Sequence, residues 1–243
     1  MGFSLKYSKF NNDSILIEWP QNIDEKILND ILKFKKSIKS NYIKYKVEVI
    51  SAYASILIIY DFTIDNFYDE ISILKQLYSS LDTTEKFTTK LWEIPVCYDD
   101  FFGLDLDEFS DAIGMSKSEI VKRHTCNIYT VYFLGFLPGF LYLGGLDPKL
   151  NLARKKTPSL DVKKGSVAIG GHQTGIYPQD SPGGWHVVGN SPIELFNPLQ
   201  DPPCQIMPGD KIRFYQISRT EHARIKQEVD SNTFNLISTT YNA

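Results

Sequence analysis

The sequence has few cysteines. Its 243 residues include three, Cys97, Cys126 and Cys204, which lie far apart in the chain. An odd and sparse set argues against a disulfide framework, and it argues against a zinc site, whose ligands come in closely spaced pairs. We therefore expect reduced, half-buried thiols in a cytoplasmic protein, with no bound metal.

Strong charge of one sign and long hydrophobic segments are also missing. The formal net charge is −3 and no basic run occurs, so the chain offers no electrostatic case for binding nucleic acid. No stretch approaches the ~20 apolar residues that span a membrane. The first residues lack the basic-then-apolar pattern of a signal peptide. These absences predict a cytoplasmic protein that binds neither nucleic acid nor a membrane.

Several catalytic and nucleotide-binding motifs are missing as well. The glycine-rich runs contain no G-x-x-x-x-G-K-[ST] sequence and open no predicted helix, so they form neither a P-loop nor a dinucleotide fingerprint. No G-x-S-x-G nucleophile elbow occurs either. A reaction that uses ATP would therefore need a nucleotide site on another chain.

The first 84 residues show alternating strand and helix patterns. Apolar residues recur at helical spacing over residues 24–38 and again between Asp65 and Leu81, and β-branched and aromatic residues fill 45–60. The resulting order, β-β-α-β-β-α, predicts helices on one face of a small antiparallel sheet. Because Thr83 to Thr89 is polar, we expect an α+β N-terminal domain at 1–84 and a second domain at 85–243.

The second part of the chain is expected to begin with a strand at 90–98 and two short helices. The second helix opens at a capping box beginning with Ser116 and ends near His124. Short apolar runs separated by glycine and proline then predict a closed β-barrel or a sandwich. The expected strands lie near 126–136, 137–143, 166–169, 186–188, 193–196 and 211–217. A short closing helix follows, and the tail from Asp230 is expected to fray.

Polar side chains cluster beside an indole in the glycine-rich stretch from Gly135 to Asp210. The set comprises Gln173, Thr174, Tyr177, Ser181 and Trp185. A few placed polar groups on an apolar wall are typical of small-molecule pockets, and these would suit a small amide or carboxylate ligand. The alternative is a rigid loop that folds back against the barrel. Phe136, Phe140 and Tyr142 either line the same cavity or fill the barrel.

Positive charge beside this stretch can come from lysine, arginine and histidine. Arg154, Lys155 and Lys156 form a basic loop that either binds an anion or is solvated. His172 and His186 lie on loops and could act as acid or base, since a free imidazole titrates near pH ~6.5. A structural or solvated role is the alternative for each histidine.

The glycine-rich runs also carry a family resemblance. GFLPGFLYLGGLDP, GSVAIGG-QTGIYP, SPGGW and PGDKIRF, in this order, resemble the KipI/PxpB family of kinase-A inhibitors, 5-oxoprolinase B subunits and proteins called allophanate hydrolase subunit 1. The resemblance covers most of the chain and is strongest over 120–217. It implies an α+β N-terminal domain followed by a cyclophilin-like β-barrel domain, without prolyl isomerase activity.

The resemblance also implies a function shared with partners. Family members of the oxoprolinase type work with two partner proteins, a related barrel known as the C subunit and a second one known as the A subunit. Together they use ATP to open 5-oxo-L-proline to L-glutamate. ATP would then be a co-substrate of the complex rather than a ligand of this chain alone. Two alternatives remain open: a KipI-like inhibitor of a sensor histidine kinase, and a carboxyltransferase-like subunit that acts on urea or allophanate-type amides.

For the enzymatic function we expect the catalytic residues to be His124, Arg154, Gln173 and Tyr177. In this hypothesis Arg154 and His124 supply charge, and Gln173, Tyr177 and Ser181 orient the substrate. The expected substrate-binding residues are Phe140, Tyr142, Thr174, Ser181, Gly183, Gly184 and Trp185.

The sequence departs from the family pattern at two positions. Ser159 and Asn190 stand where the family commonly has arginine, and position 172 varies in the family. His172 is therefore a poor candidate for a shared base.

Overall fold

A computed structural model describes residues 2–41, 47–82 and 87–241. The chain divides into two compact units, Met1–Phe87 and Thr88–Ala243, which are described separately. The boundary predicted at residue 84 lies outside the described residues, so the two-domain layout stays a prediction. None of the described helices is long and apolar enough to cross a membrane.

The first unit contains a four-stranded antiparallel sheet and two helices. In chain order these elements are β1 (Lys6–Asn11), β2 (Ser14–Glu18), α1 (Glu25–Asn41), β3 (Val47–Ser51), β4 (Ser55–Tyr60) and α2 (Phe67–Ser79). The strands lie in the order β1-β2-β4-β3. Alternate residues of β2 and β4, such as Ile15 and Ile56, meet the apolar stripe of α1, which includes Ile31 and Phe34. The predicted element order is confirmed.

The second unit contains the remaining strands and helices of the described chain. They are β5 (Thr89–Val96), α3 (Leu106–Ile113), α4 (Lys117–Cys126), β6 (Ile128–Leu134), β7 (Leu141–Gly144), a 3₁₀ turn (Pro148–Leu150), β8 (Ser159–Val162), β9 (Ser166–Gly170), β10 (Gln173–Ile176), β11 (Ser181–Gly183), β12 (His186–Asn190), β13 (Lys211–Gln216), α5 (Arg219–Asp230) and β14 (Ser238–Tyr241). Eight strands form one sheet in the order β12-β9-β10-β7-β6-β13-β5-β14. β8 and β11 form a separate pair.

The eight-stranded sheet does not form the closed barrel that the sequence predicted. It curls until Cys97, just after β5, meets Asn190 at the end of β12, and these two residues exchange backbone hydrogen bonds of 2.8 and 2.9 Å. That single bridge does not extend into a ladder, and the first half of β5 pairs with β14 instead. The fold is therefore a mixed α/β arrangement of several sheets. The expectation that the tail beyond Asp230 frays is wrong for β14.

Other expectations for the glycine-rich stretch need correction. Residues 193–196 form no strand, although Ile193 and Leu195 are buried alternately as the pattern predicted. Pro192 lacks the N–H that a ladder position requires. Conversely, β8, β10 and β11 were not predicted, because they are only three or four residues long and lie between turns.

The predicted turn before β13 is confirmed and is held by Asp210. Its buried carboxylate accepts hydrogen bonds from the Trp92 indole (2.9 Å) and from the backbone N–H groups of Lys90 and Met207 (3.0 Å each). Such charge-assisted bonds are stronger than neutral ones. They fix the start of β13 beside β5, its parallel neighbour.

Candidate functional site

Four aromatic rings cover the outer face of the sheet formed by β9, β10 and β12. We call Phe140, Tyr142, Tyr177 and Trp185 the aromatic face. Phe140 lies at its centre, with ring centroids 4.9 Å from Tyr142, 5.3 Å from Tyr177 and 5.6 Å from Trp185. The contacts with Tyr177 and Trp185 are edge-to-face, a geometry that stabilises packing beyond the area that the rings bury. All but Tyr142 are almost fully buried. The structure therefore brings together four of the predicted site residues.

The strand sequences explain why aromatic residues gather here. The main core takes Val167 and Ile169 of β9, whereas Ala168 between them packs into the aromatic cluster on the other face. Every residue of β9 is thus buried because both faces of the strand are covered.

The glycines beside these rings serve packing. A Cβ atom at Gly170 would lie 2.4 Å from the Trp185 ring, and one at Gly183 would lie 2.2 Å from the Tyr177 hydroxyl. The space that glycine leaves is filled by the protein's own aromatic rings. Gly183 is therefore not an open contact for substrate, contrary to expectation.

Arg154 is the charged group of the aromatic face. Its guanidinium carbon lies 5.7 Å from the centre of the Trp185 ring, and the side chain is exposed. At this distance the cation is attracted to the ring. Burial raises the pKa of Tyr142 and of Tyr177, and the positive charge of Arg154 opposes both shifts. Both phenols therefore stay protonated at neutral pH and can donate hydrogen bonds.

Gln173 lies on the same face of β10 as Gly175, the residue that Trp185 covers. Trp185 lies over Gly175 of β10, at 3.1 Å from an ideal Cβ there. Since side chains alternate along a strand, Gln173 points to the same face as Gly175. Gln173 is half-buried. An amide and a guanidinium thus flank the indole, a combination that can receive a carboxylate or a carbonyl group.

Lys155, the neighbouring cation in the chain, is engaged by the protein itself. Lys155 Nζ lies 2.6 Å from an Asp105 carboxylate oxygen and donates to Ser159 Oγ at 2.9 Å. The other Asp105 oxygen accepts the Val187 N–H at 2.7 Å. Lys155 N–H donates to the Gly184 carbonyl. Ser159 and Gly184 thus hold the basic loop, and Arg154 is the residue of that loop whose charge lies over Trp185.

The structure does not support the site role that was predicted for His124. It lies wholly in the core, between the Tyr98 hydroxyl at 2.7 Å from Nδ1 and the Thr174 hydroxyl at 2.9 Å from Nε2, and it stacks on Phe214. Burial lowers the pKa of His124 to about 3, so the ring is neutral at physiological pH. The charge role predicted for His124 is wrong. Thr174 is equally buried and also donates to the Ala168 carbonyl, so it cannot contact substrate.

The other histidines of the glycine-rich stretch have different surroundings. His186 is buried and its Nε2 lies 3.0 Å from the Ala153 carbonyl oxygen. His172 is exposed, with Nε2 3.4 Å from the Asn151 amide. Ser181, half-buried on β11, lies within hydrogen-bond distance of the Pro182 carbonyl oxygen.

The cysteines form no site. Cys97 and Cys204 are buried rather than half-buried, Cys126 is exposed, and all three are free thiols. Across the described ranges, no group of three or more His, Cys, Asp or Glu side chains is placed to hold a metal.

Phe136 is an exposed aromatic residue that stands out by its backbone. It has φ of 62°, a conformation that residues other than glycine adopt rarely, and the residue is 63% exposed. Its ring lies 5.7 Å from Phe140 of the aromatic face. The run GFLPGF contains glycine on either side, but no sequence signal singled out position 136 for the strained conformation.

A separate cavity of about 610 Å³ lies in the same unit. Its lining includes Phe102, Lys164, Asn190, Ser191 and His222. Sequence reasoning missed it, because its residues come from the loop before α3, the end of β12 and helix α5. A volume of this size is within the range of small-molecule sites.

Comparison with known proteins identifies the family. The sequence matches the family described as carboxyltransferase domain, subdomain C and D, over residues 5–206, which is most of the chain. The chain belongs to this family. The resemblance inferred from the glycine-rich runs is thereby confirmed.

Several individual members of the family are similar to this chain over long stretches. A 5-oxoprolinase B subunit from Bacillus subtilis (strain 168) is 32% identical over 235 residues, which cover 90% of this chain and 96% of that protein. A 5-oxoprolinase B subunit from Escherichia coli O157:H7 is 41% identical over 146 residues, 60% of this chain and 66% of that protein. The Kluyveromyces lactis urea carboxylase matches 98% of this chain and 24% of its own, with a TM-score of 0.82 and 20% identity. This last likeness concerns the fold alone.

The family match covers the aromatic face completely but the separate cavity only in part. It includes every residue that the sequence suggested for the site, from His124 to Trp185. It ends before α5, so the cavity wall that carries His222 lies beyond the matched region.

Proposed function

We propose that this chain is the B subunit of an ATP-dependent 5-oxoprolinase, a hydrolase that opens 5-oxo-L-proline to L-glutamate together with partner subunits. The observation that carries the proposal is the 32% identity to the B. subtilis 5-oxoprolinase B subunit over 96% of that protein. A match over nearly the whole of both chains supports a shared role more strongly than a shared domain would.

The chemistry explains why partners are needed. A lactam amide is stable, and transfer of the γ-phosphoryl group of ATP to its oxygen leaves ADP and an activated ring carbon that water can attack. Hydrogen-bond donors and cations must stabilise the charge that develops on oxygen. This chain contributes donors and an arginine but no nucleotide motif. We therefore assign the ATP site to the two partners, the A subunit together with the barrel-like C subunit.

The exposed rim of the aromatic face, at Phe136, Tyr142 and Arg154, is the surface that we assign to the barrel-like partner. Phe136 exposes most of its ring beside it, and Arg154 and Tyr142 reach its edge. Exposed aromatic and arginine side chains are enriched in protein interfaces. The strained backbone at Phe136 supports the same assignment, because such strain concentrates at functional positions.

Two finer assignments accompany the proposal. The curl of the sheet that brings Cys97 to Asn190 supports a cyclophilin-like architecture for the second unit. The three free thiols support a cytoplasmic location, where disulfides are rare.

The experiment is co-purification of this chain with the encoded homologues of the A and C subunits, followed by assay of glutamate release from 5-oxo-L-proline and ATP. We expect release only when all three are present. Full activity without this chain would refute the assignment. Arg154→Ala is the informative variant, because it removes the exposed cation, and Lys156→Ala is its matched control in the same loop.

A further inference from the structure

Arg154 and Trp185 lie opposite each other on two chain segments that run in opposite directions. The Lys155 N–H donates at 2.8 Å to the carbonyl of the glycine before Trp185, and His186 Nε2 lies 3.0 Å from the Ala153 carbonyl oxygen. These two contacts join the neighbours of Arg154 to the neighbours of Trp185. Arg154 is therefore placed across from Trp185, and its guanidinium carbon lies 5.7 Å from the centre of the indole ring.

One of these two contacts departs from the pattern of a regular antiparallel pair. In such a pair the backbone N–H of His186 would donate to the Ala153 carbonyl. In this protein the imidazole of His186 makes the bond instead. Because a carbonyl oxygen only accepts, Nε2 carries the ring proton and donates it. The side chain of His186 thus completes the frame on one side of Arg154.

His186 is too enclosed to act on a substrate itself. The residue is 5% exposed, and its ring packs edge-to-face with Phe109 at a centroid distance of 5.6 Å. Its other nitrogen, Nδ1, is buried and has no hydrogen-bond partner among the described residues. The one hydrogen bond of this side chain therefore goes to the backbone beside Arg154.

The other side of Arg154 is held by a largely buried ion pair. Lys155 Nζ lies 2.6 Å from an Asp105 carboxylate oxygen, and the two side chains are only 15% and 13% exposed. The second oxygen of Asp105 accepts the N–H of Val187, in β12, at 2.7 Å. Asp105 thus ties the residue after Arg154 to the strand that begins directly after Trp185.

We propose that His186 and Asp105 are positioning residues for Arg154 in the 5-oxoprolinase reaction. They set the backbone from which Arg154 extends, so that its guanidinium stays over the indole and meets the oxygen that becomes negative. This assignment rests on the proposed function and deepens it, because it adds two residues that touch no substrate to the same site. Misplacing a reacting group by about 1 Å can cost roughly a hundredfold in rate, so hydrogen bonds remote from the chemistry matter.

The first test is NMR of the whole isolated chain, which reports the place of Arg154 without any activity. The Nε–H proton of Arg154, assigned by its absence in Arg154→Ala, is shielded by the indole face. His186→Met has a similar volume but no donor, so this signal should move downfield, toward that of a solvated arginine. His186→Gln keeps an N–H donor, so the signal should stay. His172→Met, at an exposed histidine, is the matched control and should also leave it in place.

The second test is glutamate release by the complex with its partner subunits. His186→Met should lower the rate about tenfold, and His186→Gln should retain most of it. In the Arg154→Ala background, His186→Met should cause no further loss, because the side chain that it positions is gone. A residue that only stabilised the unit would lower the rate alike in both backgrounds. If His186→Met does not fold, Asp105→Asn replaces it in both tests, because it loosens the other side of Arg154.

Two outcomes overturn the inference. The first is an Arg154 signal that stays in place in both His186→Met and Asp105→Asn, and the second is an equal loss of rate with and without Arg154. Either leaves the proposed function standing if the reconstituted complex still requires this chain. Conversely, full activity without the chain overturns the proposed function even where the Arg154 signal moves as expected.

Discussion

The buried imidazole of His124 makes the stability of the second unit depend on pH. Its folded pKa is lowered to about 3 by burial, whereas an imidazole in the unfolded chain titrates near ~6.5. Between these values the unfolded state binds a proton that the folded state does not, so stability falls as the pH falls. Each pH unit in this window costs about 1.4 kcal/mol, so acidification from about pH 6.5 to about pH 5 removes about 2 kcal/mol.

The measurement is urea unfolding followed by tryptophan fluorescence. In a Trp19→Phe background the signal comes from Trp92 and Trp185, which are both in the second unit. His124→Gln is the control, because glutamine does not titrate, and His222 contributes to both proteins alike. Between about pH 7 and about pH 5, the protein with His124 should lose about 2 kcal/mol more than the glutamine variant. Equal losses would show that His124 is not held neutral by burial, which would refute the reasoning.

Three further predictions concern packing and contact. Gly170→Ala should destabilise the second unit by about 1–3 kcal/mol in urea unfolding, because its Cβ would overlap the Trp185 ring; an unchanged midpoint would contradict the packing described. Asp105→Asn should cost about 1.5–3 kcal/mol by the same assay, since it weakens a charge-assisted bond to the largely buried Lys155; a loss below about 0.5 kcal/mol would refute it. Phe136→Gly should raise the free energy of unfolding by up to about 1 kcal/mol, because glycine adopts a positive φ without strain. The same change should weaken co-purification with the C-subunit homologue. Unaltered partner binding would exclude Phe136 from the interface.

The fold of the first unit followed from periodicity alone. The helical spacing of Ile27, Ile31, Phe34 and Ile38 survives in α1 because one side of that helix faces a single sheet. Such amphipathic patterns directly reflect which side is buried.

The second unit was less predictable because its signals are non-local. β14 reads as a polar tail, and only its pairing with β5, far earlier in the chain, makes it a strand. The Cys97–Asn190 bridge joins residues 93 positions apart, which no local pattern could show. Strands of three or four residues, such as β11, carry too few positions for alternation to be visible.

The candidate site was predicted in part. The aromatic residues around Trp185 lie together and Arg154 is exposed beside them, although the fold, not proximity in the chain, brings Phe140 and Tyr142 to Trp185. The prediction for His124 was wrong because its position at a helix end suggested a cation, whereas burial between Tyr98 and Thr174 keeps the ring neutral. The separate cavity was missed because its walls, Phe102 and His222, are about 120 residues apart in sequence and meet only in the fold.

The central claim is that this chain acts as the B subunit of a 5-oxoprolinase. The most direct measurement replaces the B. subtilis B subunit with this chain in a reconstituted complex and records ATP-dependent glutamate release from 5-oxo-L-proline. We predict activity well above that of the complex lacking a B subunit, with one ADP formed per glutamate. Activity no higher than in the complex without any B subunit, despite stable association of this chain with its own encoded partners, would contradict the account.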